Sequence, residues 1–181
     1  NERELPFNVN EITPHFIIDG AYTDNSKNDE TAIATVYYHI PNGQLYVLNV
    51  DSFHKTLDQF LDYFQGYATS MNRKGDSAVY IEPKASGKSM VSMLKKFQYG
   101  LFNTIEIPNK IVALGKETRA NSCTPITASG RVNLVQGSWN AKTIDQLTSF
   151  PRSPHDDIVD VITYAIYIYC IGLNQQKYSY Q

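Results

Sequence analysis

The chain has 181 residues, of which 42% are hydrophobic and 19% charged, with a formal net charge of −2. These values describe an ordinary soluble globular protein, one domain with a full core. They argue against a protein that grips nucleic acid by overall charge alone. The charge is nevertheless uneven: Arg73 to Arg131 carries ten basic and four acidic residues, whereas the rest carries six basic and fourteen acidic. Cys123 and Cys170 have no CxxC partner, which reads as reduced thiols in a cytosolic setting without a zinc site. The longest apolar run, Val161 to Gly172, is too short to span a bilayer and reads as buried helix, so no membrane association is expected.

Residues 1–13 are polar and read as a linker or tail, with the domain proper over 14–181. The absence of an initial methionine suggests a piece of a longer chain. His15-Phe16-Ile17-Ile18-Asp19 is a short apolar strand ending in an acid. Thr31 to Ile40 is β-branched and aromatic, Pro41-Asn42-Gly43 is a turn, and Gln44 to Val50 is another strand. The three form an antiparallel meander. In His54 to Ser70 the apolar spacing changes to Leu57, Phe60, Leu61 and Phe64, one face of a helix. Ser77 to Ile81 is a strand ending at Glu82. Ser89 to Tyr99 has helical spacing, and Thr104 to Ile107 is a short strand. Lys116 to Thr127 is ambiguous, with helix favoured at its start. Val132 to Val135 is a weak strand, and Trp139 to Thr148 is helical. Pro154 to Leu173 is a helix with a wide apolar face: Ile158, Val161, Ile162, Ala165, Ile166 and Tyr169. A meander followed by alternating strands and helices predicts an α/β fold: a mixed sheet, three antiparallel strands then parallel ones, flanked by helices.

Gly87-Lys88-Ser89 resembles the end of a phosphate-binding loop. The loop's first glycine would have to stand at position 82, where the chain has Glu82. A carboxylate there opposes phosphate, so nucleotide binding is rejected. The acids offer a better reading. Asp19 and Glu82 end strands, and His155-Asp156-Asp157-Ile158-Val159-Asp160 opens the last helix. Asp157 and Asp160 share a face at i, i+3, as do Asp156 and Asp160 at i, i+4. An acidic first turn alone is explained by the helix dipole. Together with strand-end acids, however, it can form a self-repelling cluster that needs cations. Oxygen-only ligands suit Mg²⁺ or Mn²⁺, and two such ions clamp a phosphodiester and activate water.

The ordered set resembles the ribonuclease H-like nucleases, and more narrowly the nuclease domain of the large terminase subunit of tailed bacteriophages. The stretches that carry the resemblance are Ile17-Ile18-Asp19-Gly20-Ala21, Asp29-Glu30-Thr31-Ala32-Ile33, Ile81-Glu82 with Gly87, Lys116-Glu117-Thr118-Arg119-Ala120, Gly130-Arg131-Val132, and Phe150-Pro151 followed by the acidic helix start. It implies an endonuclease cutting concatemeric double-stranded DNA with two Mg²⁺ or Mn²⁺ ions. Asp19, which would bridge the ions, Glu82 and one helix aspartate would be the catalytic and metal-binding acids. Asp157 is the first choice for that third acid, Asp160 the second, Asp156 the third. Lys84, Lys88, Lys116, Arg119 and Arg131 are candidate DNA contacts, and His155 a candidate auxiliary group. The implied partners are an ATPase domain in the same full-length protein, whose phosphate loop this chain lacks, a portal and a small terminase subunit, in the host cytoplasm. Competing readings are a Holliday-junction resolvase or transposase of the same fold, and a non-catalytic docking domain.

Overall fold

A computed structural model of the chain describes residues 4–21, 29–71, 76–83, 91–92, 94 and 102–172. The sheet contains β1 (His15–Asp19), β2 (Thr31–His39), β3 (Gln44–Phe53), β4 (Ala78–Ile81), β5 (Asn103–Glu106) and β6 (Val132–Leu134). The helices are α1 (Leu57–Met71), α2 (Asn109–Val112), α3 (Lys116–Ala128), α4 (Asn140–Ser149) and α5 (Asp157–Ile166), and α5 continues as a π-helical turn over Tyr167–Gly172. The strand order is β5-β4-β1-β2-β3-β6. β1–β2 and β2–β3 pair antiparallel, while β1–β4, β4–β5 and β3–β6 pair parallel. This is the mixed sheet that the meander and the later alternation predict.

Strand alternation decides which side chains meet which helix. Successive residues of a strand point to opposite faces. On β1, Phe16 and Ile18 join Phe60 and Phe64 of α1 in one apolar cluster, with Ile33, Val79 and Ile81. Ile17 points the other way, into a second cluster with Ala32, Ala34, Leu45, Val47 and the α5 residues Ile158, Val161, Ile162 and Ala165. The helix α5 is buried along its whole length, as its near-continuous apolar sequence requires of an element laid across a sheet.

The structure departs from the sequence expectations at three places. Lys116–Ala128 is helical throughout, with Pro125 inside it. Its apolar pattern is faint, but hydroxyls that could compete for the backbone bond back onto it, as Ser122 Oγ does to Thr118 O at 2.8 Å. Just before it, Gly115 takes φ +72°, a conformation open to glycine at little cost. The last helix starts at Asp157 rather than Pro154. There the Ile158 N–H donates to Gln146 Oε1 of α4 at 3.1 Å, so a neighbouring helix caps α5 from outside. The third departure is α2, which has no clear signal in the sequence. Of the helix expected over Ser89 to Tyr99, Val91, Ser92 and Leu94 are helical, and the remainder lies outside the described residues.

Candidate active site

Asp19 stands two residues beyond Ile17, and Glu82 two residues beyond Tyr80. By the alternation above, both carboxylates leave their strands on the face that α5 covers. Their strands are parallel neighbours in the middle of the sheet, with Ile18 opposite Ile81. The Glu82 N–H donates to Ile18 O at 3.2 Å, so the ladder carries Glu82 alongside the end of β1. Across β1, Asp19 pairs with Ala32, which in turn pairs with Ser52. The acids therefore stand at one end of the sheet. Both are buried, at 4% and 7% exposure.

The first turn of α5 delivers the other acids to the same face. Asp157 is 4% exposed, and its Oδ2 accepts the Glu30 N–H from the approach to β2 at 3.3 Å. Burial pushes its carboxyl up to about 6; the charges of Asp29 and Asp19 add to the rise, and the Glu30 N–H and Lys116 oppose it. Asp160 is 1% exposed and is also raised, by burial first and then by Asp19, against the pull of Lys116 and Arg119. Asp19 thus acts electrostatically on both helix acids. Asp156 is more exposed, and its Oδ1 meets Lys116 Nζ at 2.5 Å.

The cations expected on a DNA-facing surface have different fates. Arg119 is an interior residue. Its guanidinium pairs with Asp160, donates from Nε to Thr163 Oγ1 at 3.0 Å, and lies 4.0 Å from the Tyr164 ring centre. Lys116 is partly exposed at the rim, bridging Asp156 and, at 2.8 Å, Asp160. Burial works against its charge, but those two carboxylates outweigh burial and raise its pKa. Arg131 belongs to the other end of the sheet, where its Nε reaches Gly43 O at 3.3 Å in the β2–β3 turn. His155 is exposed, and its N–H meets Ser153 Oγ at 3.3 Å. Lys84 and Lys88 lie outside the described residues.

Sequence reasoning passed over three contributors. Asp29, just before β2, lies close enough to raise Asp157. Glu30 supplies a backbone N–H to Asp157 while its side chain pairs with Lys142 at 2.8 Å, and Lys142 also reaches Ser52 at 2.6 Å. Thr163 sits one helical turn beyond Asp160 and holds Arg119. Of these, only Asp29 and Glu30 belong to a stretch that carries the resemblance, Asp29-Glu30-Thr31-Ala32-Ile33.

Among the described residues, no three His, Cys, Asp or Glu side chains converge closely enough to hold an ion between them. The donors nevertheless suit a hard cation. Asp19, Glu82 and Asp157 offer only oxygen, they are buried on one face, and the neighbouring acids raise the proton affinity of Asp157. A divalent cation relieves that kind of repulsion directly.

A family model described as "Terminase RNaseH-like domain" matches residues 18–167. The chain belongs to this family. Terminase nuclease domains also match in three dimensions. The human cytomegalovirus terminase nuclease domain superposes with a TM-score of 0.58 at 12% identity, covering 88% of this chain and 86% of that one. The nuclease domain of the bacteriophage SPP1 large terminase, solved with bound Mn, gives 0.53 at 10% identity, covering 86% and 85%. At such identities the likeness is one of fold: the ribonuclease H-like sheet of terminases. No curated protein matches the sequence.

Proposed function

We propose that this domain is the metal-dependent endonuclease of a tailed-bacteriophage packaging terminase, hydrolysing double-stranded DNA. The observation that carries the reading is the placement of three buried acids, Asp19, Glu82 and Asp157, at one face of the sheet, two from neighbouring parallel strands and one from the helix laid across them. Membership of the terminase family and the Mn-bound SPP1 relative support it.

In this reading Asp19, Glu82 and Asp157 hold two Mg²⁺ or Mn²⁺ ions, with Asp160 behind them on the same helix. Bound cations would neutralise the scissile phosphate's oxygens and lower the pKa of a water nucleophile. The chain's own part is to fix the acids before DNA arrives. β1 and β4 set the spacing of Asp19 and Glu82 through the ladder, and Gln146 caps the helix that brings Asp157. Burial on the sheet face limits water around them, and Lys116 at the rim gives phosphates a positive approach. The same reading places the domain in the host cytoplasm, joined to an ATPase domain and working with a portal and a small terminase subunit.

Plasmid cleavage in Mn²⁺, Mg²⁺ or EDTA tests the reading, run beside Asp19→Ala and Glu82→Ala with folding checked by circular dichroism. Metal-dependent cutting that both folded variants lack is the expected result. Cutting that survives in either variant, or that persists in EDTA, would sink it.

A further inference from the structure

We propose that Arg119 is a positioning residue: it clamps Asp160 to α3, so that Asp157 alone of the buried α5 acids is left to take a divalent cation. The proposal rests on the metal-dependent nuclease reading and narrows its ligand set.

Asp157 and Asp160 look interchangeable in the sequence, since both are buried acids of the first helical turn. Their surroundings differ. Both oxygens of Asp160 face cations, Oδ1 facing Arg119 Nη2 and Oδ2 facing Lys116 Nζ at 2.8 Å. Oδ1 takes a hydrogen bond from Arg119 while Oδ2 has Lys116 at ion-pair distance only, so two cations already neutralise Asp160 and weaken its pull on a third, and moving it would strand a guanidinium that is only 2% exposed. Asp157 has the opposite setting. Its Oδ2 takes one backbone N–H at 3.3 Å, and among the described residues no lysine or arginine forms an ion pair with it.

The clamp also fixes how α5 is turned. Arg119 touches Asp160, Thr163 and Tyr164, at i, i+3 and i+4, which form one stripe of the helix. Thr163 is itself tied to its helix by its hydroxyl, which donates to Val159 O at 2.8 Å. Holding that stripe against α3 fixes the rotation of α5. At about 100° per residue, Asp157 then stands about 60° round the helix from Asp160 and one turn nearer the helix start. That direction is toward Glu30 and the end of the sheet where Asp19 stands. The planar fork of arginine can hold a carboxylate and a hydroxyl together, whereas lysine offers a point charge.

Isothermal titration calorimetry with Mn²⁺ tests the proposal, on wild type and on Asp157→Asn, Asp160→Asn, Arg119→Lys and Arg119→Met, each with a thermal melt. Asp157→Asn is expected to lose most binding, while Asp160→Asn, which keeps an oxygen acceptor for Arg119 but loosens the clamp, loses no more than Arg119→Met. Arg119→Met should bind about 10- to 100-fold more weakly, the usual range for groups that orient metal ligands. Arg119→Lys should fall between that variant and wild type, with a cooperative melt. Equal losses in Asp160→Asn and Asp157→Asn would make Asp160 a ligand and overturn the proposal. Unchanged affinity in a folded Arg119→Met would reduce Arg119 to a structural residue. If Arg119→Met does not fold, Arg119→Lys decides: a several-fold loss supports positioning, and wild-type affinity overturns it. Wild-type Mn²⁺ binding by Asp157→Asn would give the site to other acids and overturn the proposal, whereas no Mn²⁺ binding by the folded wild-type protein would sink the metal reading itself.

Discussion

The two faces of the sheet are built from different chemistry. The α1 face is closed by rings: Phe16 packs edge-on against Phe64 and Phe102, and Phe60 stacks on Phe64 with centroids 5.6 Å apart. The α5 face has an apolar floor too, but near the start of the helix it buries Asp157, Asp160, Arg119 and Thr163, beside Asp19 and Glu82. Charge buried in this way contributes little to stability even when it is well paired. The ring-packed face therefore contributes stability without buried charge, whereas the α5 face combines its own apolar cluster with acids that can be arranged for chemistry. A domain that spread its polar groups evenly through both faces would have no such division.

That division can be broken from either side. The largest expected effect is on the charged face: Asp157→Asn should lower DNA cleavage on the order of a hundredfold to a thousandfold, measured as the initial rate on supercoiled plasmid, with an unchanged circular dichroism spectrum. The opposite pattern is expected on the other face. Phe64→Ala should cost about 3–5 kcal/mol in urea unfolding while leaving the affinity for Mn²⁺ as it was. Equal damage to stability from both substitutions would mean that the faces do not divide the work.

A smaller effect sharpens the comparison through pH. Asp157 is raised to about 6 in the folded protein, above the value of about 3.9 expected in the unfolded chain. The folded state therefore binds this proton more tightly. The acid weakens folding only where it must ionise: the penalty is absent below about pH 4 and complete above about pH 6, and amounts to about 2–3 kcal/mol at most. Urea titrations of the metal-free protein should show stability falling across that window, and Asp157→Asn should flatten the fall. An unchanged slope in the variant would assign the effect elsewhere. The smallest expected effect lies on the sheltered side of the α5 layer. Burial pushes the thiols up, to about 12 for Cys123 and about 11 for Cys170, so iodoacetamide at about pH 8 should modify neither until the protein unfolds.

The sequence made the meander, α1, β4 and the final helix legible because their signals are local. The period changes from two to 3.6 between Val50 and Leu57, and Pro41-Asn42-Gly43 marks the turn. The strand-end places of Asp19 and Glu82 were legible for the same reason. Arg119 was not. It stands in a helix with few apolar residues, and from the sequence it reads as a surface cation. Its burial follows from Asp160, forty-one positions away along the chain, and from Tyr164 beneath it. The three aspartates of the last helix were likewise equivalent as letters. They became distinct through Lys116, Arg119 and the Glu30 N–H, none of them adjacent in sequence. Gln146 as the external cap of α5 belongs with these: a glutamine's hydrogen-bond partner leaves no trace in periodicity.

The assembly of the acids from β1, β4 and α5 also bears on how the domain comes into being on the ribosome. β1 and β4 emerge long before α5, and Asp19 and Glu82 by themselves make an incomplete set. Until α5 has docked, the sheet face on which they stand lacks the helix laid across β1 and β2 and has no third acid. On the proposed reading, a half-made chain is harmless to the DNA around it, and cutting competence arrives together with the final layer of the core.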